Sequence, residues 1–536
     1  MSAPSQFILE PIVVDRIREL CDPSAPWFRS LWTVGTVTAL LEVVESVNAT
    51  WDNVLTNDGA MADFKKNAMS LVKGDLGLGS EVVREKLRLI IIKLKPESTN
   101  EGRTALAELE QFITRCRLPY LENWASAIES GQVADQQFES MCRSLASHLL
   151  DDGLHPKHLV GWIDKRRGSL NAVELIREAK LLANAQMKTY EFAVPFVKMS
   201  REVRNSLDKG HLMAVADFEA LYYSCENSVK SGPLVSAPQC VLKVSFQAKD
   251  PHSALDSVRE WAKRVASRAA LATASLGVNL NDQVVEIGAK KIWALADQDL
   301  LRVPSILREN AVDAIDDSAQ SKQLDDALAM LAPHLQSTAG VSAATLWAAC
   351  EGLLGRVQSN GHSVADRLAD VVACSFIREE LFELVKRWRQ ETRGSSGPDI
   401  RHGTTFEQMT VMVDHIVSSG DPGFKRPEEQ AAVARIHELA TSSAPTVKRV
   451  RAYLQTAFRR LYYQRNFVMH SAKFDSVSLS MTSRIAPRLV AAGLDQIVNA
   501  HFRSGSVPPL GLAARAAIEL DLVGQPGGKH IATLLS

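Results

Sequence analysis

The stretch "RLYYQRNFVMHSAKF", residues 460–474, sets Arg465, Asn466 and His470 within six positions of one another. A histidine whose free pKa is about 6.5 can take up and release protons near neutrality. An arginine offers a planar fork that grips two oxygens of a phosphate at once. Asn466 can hydrogen-bond His470 or a bound oxyanion. Between Glu438 and Asp475 there is no acidic residue, whereas Lys448, Arg449, Arg451, Arg459, Arg460, Arg465 and Lys473 all fall in that interval. Seven cations without a local counter-charge, in a chain of formal net charge −1, imply an anion-binding surface. An ordinary solvated helix face would mix signs to form i,i+4 pairs.

Helical phase assigns these residues to faces. Val447, Val450, Leu454, Ala457, Leu461 and Val468 recur at helical spacing, which predicts a helix with that stripe in the core. At about 100° per residue, Lys448, Arg459, Asn466 and His470 fall on the opposite face, so His470 is expected at the surface. Arg465 is expected about 140° round from His470, so the two diverge on one straight helix. They would share a phosphate only through a helix break before Ser471 or through a second subunit.

The stretch "LYYQRNFVMHSA" resembles the signature of HEPN domains, an arginine followed after four to six residues by a histidine, with a polar residue directly after the arginine. "AATLWAACEGLLG" looks like the first helix of that domain, "SVADRLADVVACSFIREELFELVKRW" like its second, and "RIAPRLVAAGLDQIVNAHF" like its closing helix. The likeness spans about 335–505 and is strongest to HEPN domains of bacterial abortive-infection proteins. A long polar insert near 391–430 departs from a compact bundle. The resemblance implies metal-independent RNA cleavage at a site built across a homodimer or higher homo-oligomer, leaving a 2′,3′-cyclic phosphate, in anti-phage defence. The chemistry suits the residues, since the 2′-hydroxyl of RNA is an internal nucleophile that needs positioning, proton transfer and charge stabilisation. Catalysis is assigned to Arg465, Asn466 and His470, with Glu351 orienting one of them. RNA contacts are assigned to Lys448, Arg451, Arg459, Arg460 and Lys473. No cofactor or metal is expected. The partners are RNA, a second copy and a phage-derived or cognate regulator, with no membrane. The rival readings are a non-catalytic RNA- or protein-binding module and the toxin of a toxin–antitoxin pair.

The elements that must position these residues are expected to be mainly α-helical. Length alone suggests roughly three domains. Residues 1–185 are expected as a helical region with a sensory or regulatory role. Residues 186–305 carry short β-branched runs ("YEFAVPFVKM", "CVLKVSFQA", "QVVEIGAKKIWAL") around one helical stretch, which predicts a small α/β segment. Pro195 within the first run suggests an edge strand. Residues 306–505 form the HEPN-like helical domain, and 506–536 a Gly/Pro-rich tail. Hydrophobic content of 46% and charged content of 23% fit a soluble, cytoplasmic protein. The seven cysteines never fall in CxxC spacing, which disfavours a zinc ribbon or a disulfide framework. The first 20 residues lack a basic leader pattern, and no apolar run is long enough to span a bilayer. Phosphate-loop, HExxH, GxSxG and EF-hand motifs are absent from the sequence. His148, His155 and His158 straddle a helix break and are read as surface or capping residues rather than metal ligands. A second Arg-x6-His, Arg204 to His211, lacks the flanking helices, and "DIRHG" at 399–403 is read as loop surface.

Overall fold

The computed structural model describes residues 10–535 except 55–58, 134–136, 228–236, 275–277, 296–300, 314–317, 333, 335–336, 357–359, 392–397, 399, 401 and 504–506. The chain is mainly α-helical with a small antiparallel sheet in its middle. The opening helices are α1 (Glu10–Cys21), α2 (Thr36–Trp51), α3 (Gly59–Gly74), α4 (Glu81–Lys93), α5 (Asn100–Arg117), α6 (Tyr120–Glu129), α7 (Phe138–Asp151), α8 (Pro156–Asp164) and α9 (Ala172–Ala183). Local chemistry accounts for several of their ends. Gly153, at φ 92°, supplies the left-handed residue just past α7. His155 then caps α8 by accepting from the Lys157 N–H at 3.0 Å, and Pro156 opens that helix. Asn171 and Glu174 form a capping box on α9.

The middle segment adds strands β1 (Lys188–Met199), β2 (Leu212–Met213), β3 (Cys240–Ala248), β4 (Val278–Leu280), β5 (Gln283–Glu286) and β6 (Lys291–Ala294). Helices α10 (Arg201–Asn205), α11 (Val215–Tyr223) and α12 (Pro251–Thr273) lie between them. The sheet runs β2-β3-β1-β5-β6, with β4 also beside β1. Pro195 therefore sits in a central strand, not at an edge, and the sequence expectation is corrected. On the β5 side, Ala193 pairs with Val285, while Phe196 pairs with Leu280 of β4. Pro195 falls where the neighbour changes from β5 to β4, so its missing N–H faces a break in the ladder. Its carbonyl still accepts from the Asn281 N–H at 3.0 Å.

The remaining helices are α13 (Ser305–Arg308), α14 (Ala319–Leu331), α15 (Ala339–Leu354), α16 (Gly361–Glu391), α17 (Thr405–Ser419), α18 (Pro427–Thr441), α19 (Ser443–Ser471), α20 (Leu479–Arg503) and α21 (Pro509–Leu522). Helices stand where the HEPN-like first, second, motif and closing helices are expected, as α15, α16, α19 and α20. Helix α19 packs against the other three. Within the polar insert, α17 buries Met409, Met412, Val413 and Ile416, so that segment joins the bundle rather than departing from it. The expected tail also packs, with α21 against α16 and Ile531, Ala532 and Leu534 buried beyond it.

The helices before 185 and after 305 contribute to one continuous apolar core, while the sheet has cores of its own. Buried ion pairs join the two helical parts. Arg29 donates to Glu380 at 2.8 Å, and Arg435 reaches the same carboxylate at 3.1 Å. Burial works against that charge, but Arg435 and Arg29 outweigh it and hold the Glu380 carboxyl below its usual range. Among the described residues no helix is long and apolar enough to cross a membrane.

Candidate active site at the end of the motif helix

Helix α19 runs unbroken through His470 and ends at Ala472, whose φ of 49° is left-handed. No break precedes Ser471. Even so, Arg465 and His470 meet within the one chain: Arg465 Nη1 lies 3.3 Å from His470 Nε2. The same nitrogen donates to Asn466 Oδ1 at 3.0 Å, and Arg465 Nη2 lies 3.9 Å from Glu351 Oε2 on α15. The expected divergence is thus corrected. The 140° angle separates Cα directions, whereas the guanidinium sits at the tip of a side chain long enough to fold back over the last turn. A guanidinium can only donate, so a hydrogen bond across this contact has Nε2 of His470 as its acceptor. His470 is exposed, as its helical phase predicts, and Arg465 and Glu351 are 28% and 44% exposed. All four residues singled out for catalysis converge on one surface cluster.

The residues assigned to RNA do not form one open patch. Arg460 is buried and donates to Glu42 of α2 at 3.0 Å, with both side chains almost fully shielded. It belongs to the core and is withdrawn from the RNA-binding set. Arg459 is held by Asp63 of α3 at 3.1 Å and Asp366 of α16 at 2.9 Å. Arg451 bonds Asp370 at 2.7 Å and also Asp521. Lys473 pairs with Glu45 of α2 at 2.7 Å, and Arg449 with Glu438 at 2.6 Å. Six of the seven cations of this interval therefore do have counter-charges, most of them supplied by segments remote in sequence. Lys448 is exposed, with no ion pair to it among the described residues.

Residues that no sequence signal marks support the cluster. Gln464, fully buried beside Arg465, donates to Ser476 Oγ at 2.9 Å and Ser478 Oγ at 3.1 Å. Ser476 in turn donates to Glu45 at 2.8 Å. These bonds tie the segment after His470 to both α19 and α2. Tyr463 donates to Asp63 at 2.7 Å and lies 2.6 Å from His362 Nε2. Burial, reinforced by the Asp63 charge, pushes its phenol well above the usual range, so it stays protonated.

His155 caps α8, while His148 is buried and stacked on Tyr120 at 4.2 Å, against the surface-or-capping expectation. Arg204 and His211 are both exposed. In the 399–403 stretch, Ile400 is buried and His402 exposed, while residues 399 and 401 lie outside the described set. Comparison of the chain with known family models, curated proteins and solved structures finds no match.

Proposed function

We propose that the protein is a metal-independent endoribonuclease whose site is Arg465, Asn466, His470 and Glu351. The observation that carries this reading is the position of Arg465 Nη1, shared between Asn466 Oδ1 at 3.0 Å and His470 Nε2 at 3.3 Å on an exposed helix end. An incoming phosphate competes for that guanidinium with two oxygens of its own. Once Arg465 swings to it, the Nε2 lone pair is free to accept the 2′-hydroxyl proton. The 2′-oxygen attacks the adjacent phosphorus and the 5′-oxygen leaves with a proton, giving a 2′,3′-cyclic phosphate and a 5′-hydroxyl. Glu351, 3.9 Å from the other terminal nitrogen, supplies a counter-charge to the guanidinium.

A homodimer, abortive infection of phage-infected cells and a cytoplasmic setting complete the proposal and rest on the HEPN resemblance. Meeting of Arg465 and His470 in one chain removes the geometric need for a second subunit. The assembly draws support instead from the exposed apolar side chains of Met469 and Phe474, which flank His470 in sequence and are 61% and 50% exposed. Pairing of Arg449, Arg451, Arg459, Arg460 and Lys473 within the chain favours the protein-binding form of the rival reading, because it narrows the surface left for RNA. The test is cleavage of single-stranded RNA by purified protein in EDTA. Cyclic-phosphate products are expected, and activity only with added magnesium or manganese refutes the proposal.

A further inference from the structure

A cavity of about 750 Å³ lies between the sheet-bearing segment and the helical body, lined by neither Arg465 nor His470. Its volume is that of sites for small organic ligands. One wall is α12, which places Trp261 and Arg264 on the cavity; Phe246 of β3 adds a second ring. Both rings are half-buried, so each keeps an open edge or face. The opposite wall is α20, where Ser480, Arg484 and Arg488 recur every four residues and so line one face.

The charges of this cavity do not cancel. Asp22, Asp256 and Glu260 line it, but each already has a cation: Arg18 at 3.1 Å, Arg259, and Lys263 at 3.9 Å. Arg484 is held by Asp151 at 3.0 Å. Arg488 donates only to the backbone carbonyls of Pro23 and Ala25 among the described residues. Lys157 and Arg264 line the cavity with no carboxylate within ion-pair distance among those residues. Three cations are thus left over for an anion. Pro487, inside α20, has no N–H to give to the Ser483 carbonyl four residues earlier.

We propose that this cavity binds a nucleoside phosphate. Trp261 and Phe246 take the base, and Lys157, Arg264 and Arg488 the phosphates. A free anion would leave the aromatic wall unused, and an uncharged ring would leave the cations unpaired. The site stands independently of the RNA-cleavage reading, although α20 begins nine residues after His470 and α15 connects the cavity residue Ala339 with Glu351.

Isothermal titration of the full chain with the four ribonucleoside 5′-diphosphates, adenosine and inorganic pyrophosphate tests the proposal. At least one diphosphate is expected to bind with Kd below about 100 μM, and adenosine and pyrophosphate roughly tenfold or more weakly. Arg264→Glu, at an exposed position that folding does not need, is expected to weaken that binding about tenfold or more, and Trp261→Ala likewise. An Arg465→Ala, His470→Ala double variant is expected to bind as the native chain does. The proposal is overturned if no diphosphate binds below about 1 mM, or if pyrophosphate alone binds as tightly. It is equally overturned if Arg264→Glu leaves binding unchanged, or if the double variant abolishes it.

Discussion

Arg460→Ala distinguishes most sharply between a basic helix that meets RNA and one that meets its own chain. Arg460 and Glu42 are 2% and 1% exposed in their side chains and join α19 to α2. Truncating the arginine leaves the Glu42 carboxylate buried without its cation, which costs about 3–5 kcal/mol in comparable buried pairs. An exposed pair would cost at most about 1 kcal/mol. Against a total stability of about 5–15 kcal/mol, the larger loss moves the urea midpoint, followed by far-UV circular dichroism, by a large fraction of its value. Replacing both partners by apolar residues of similar size, Glu42→Leu with Arg460→Met, is expected to recover most of it, because no lone buried charge remains. RNA affinity of the folded single variant should be unchanged. If Arg460→Ala keeps its midpoint within about 0.5 kcal/mol and weakens RNA binding instead, the core assignment is wrong.

Two further outcomes follow from the same reasoning. Burial pushes the His148 imidazole down to about 4 from 6.5, with Asp152 opposing and Arg117 and Lys249 reinforcing the shift. The unfolded chain takes up this proton below about pH 6.5 and the folded chain only near 4, so the contribution is complete above 6.5 and disappears towards 4. It amounts to on the order of 3 kcal/mol, and His148→Phe should flatten that part of a stability-versus-pH curve; an undiminished slope in the variant contradicts it. Lys448→Ala should lower the slope of log affinity for RNA against log salt by about one, whereas Arg459→Ala, whose charge is already matched by Asp63 and Asp366, should leave the slope alone. Equal slopes for native chain and Lys448→Ala in a filter-binding salt series would remove Lys448 from the interface.

Much of the local structure is legible in the sequence because it is set by neighbours in the chain. The Gly153 stop, the Pro156 start and the strands of the middle segment all depend on residues within a few positions. Position on a helix face is equally local, and His470 is exposed as its phase requires. What escapes is whatever depends on distant partners. Glu42, Asp63 and Glu45 neutralise the basic helix from about 400 residues away, so a charge count within one window finds only the cations. Pro195 is tolerated in a central strand because two different strands share that side of it, a matter of sheet topology rather than composition. The meeting of Arg465 with His470 depends on side-chain reach, which helical phase leaves out.

Whether His470 moves a proton rather than merely touching RNA is decided by the single-turnover cleavage rate per bound complex in EDTA, native chain against His470→Ala. The rate is expected to be about a hundred- to ten-thousand-fold lower in the variant, with RNA affinity little changed. An unchanged rate per bound complex, with affinity lost instead, would contradict it and leave the helix end as a binding surface.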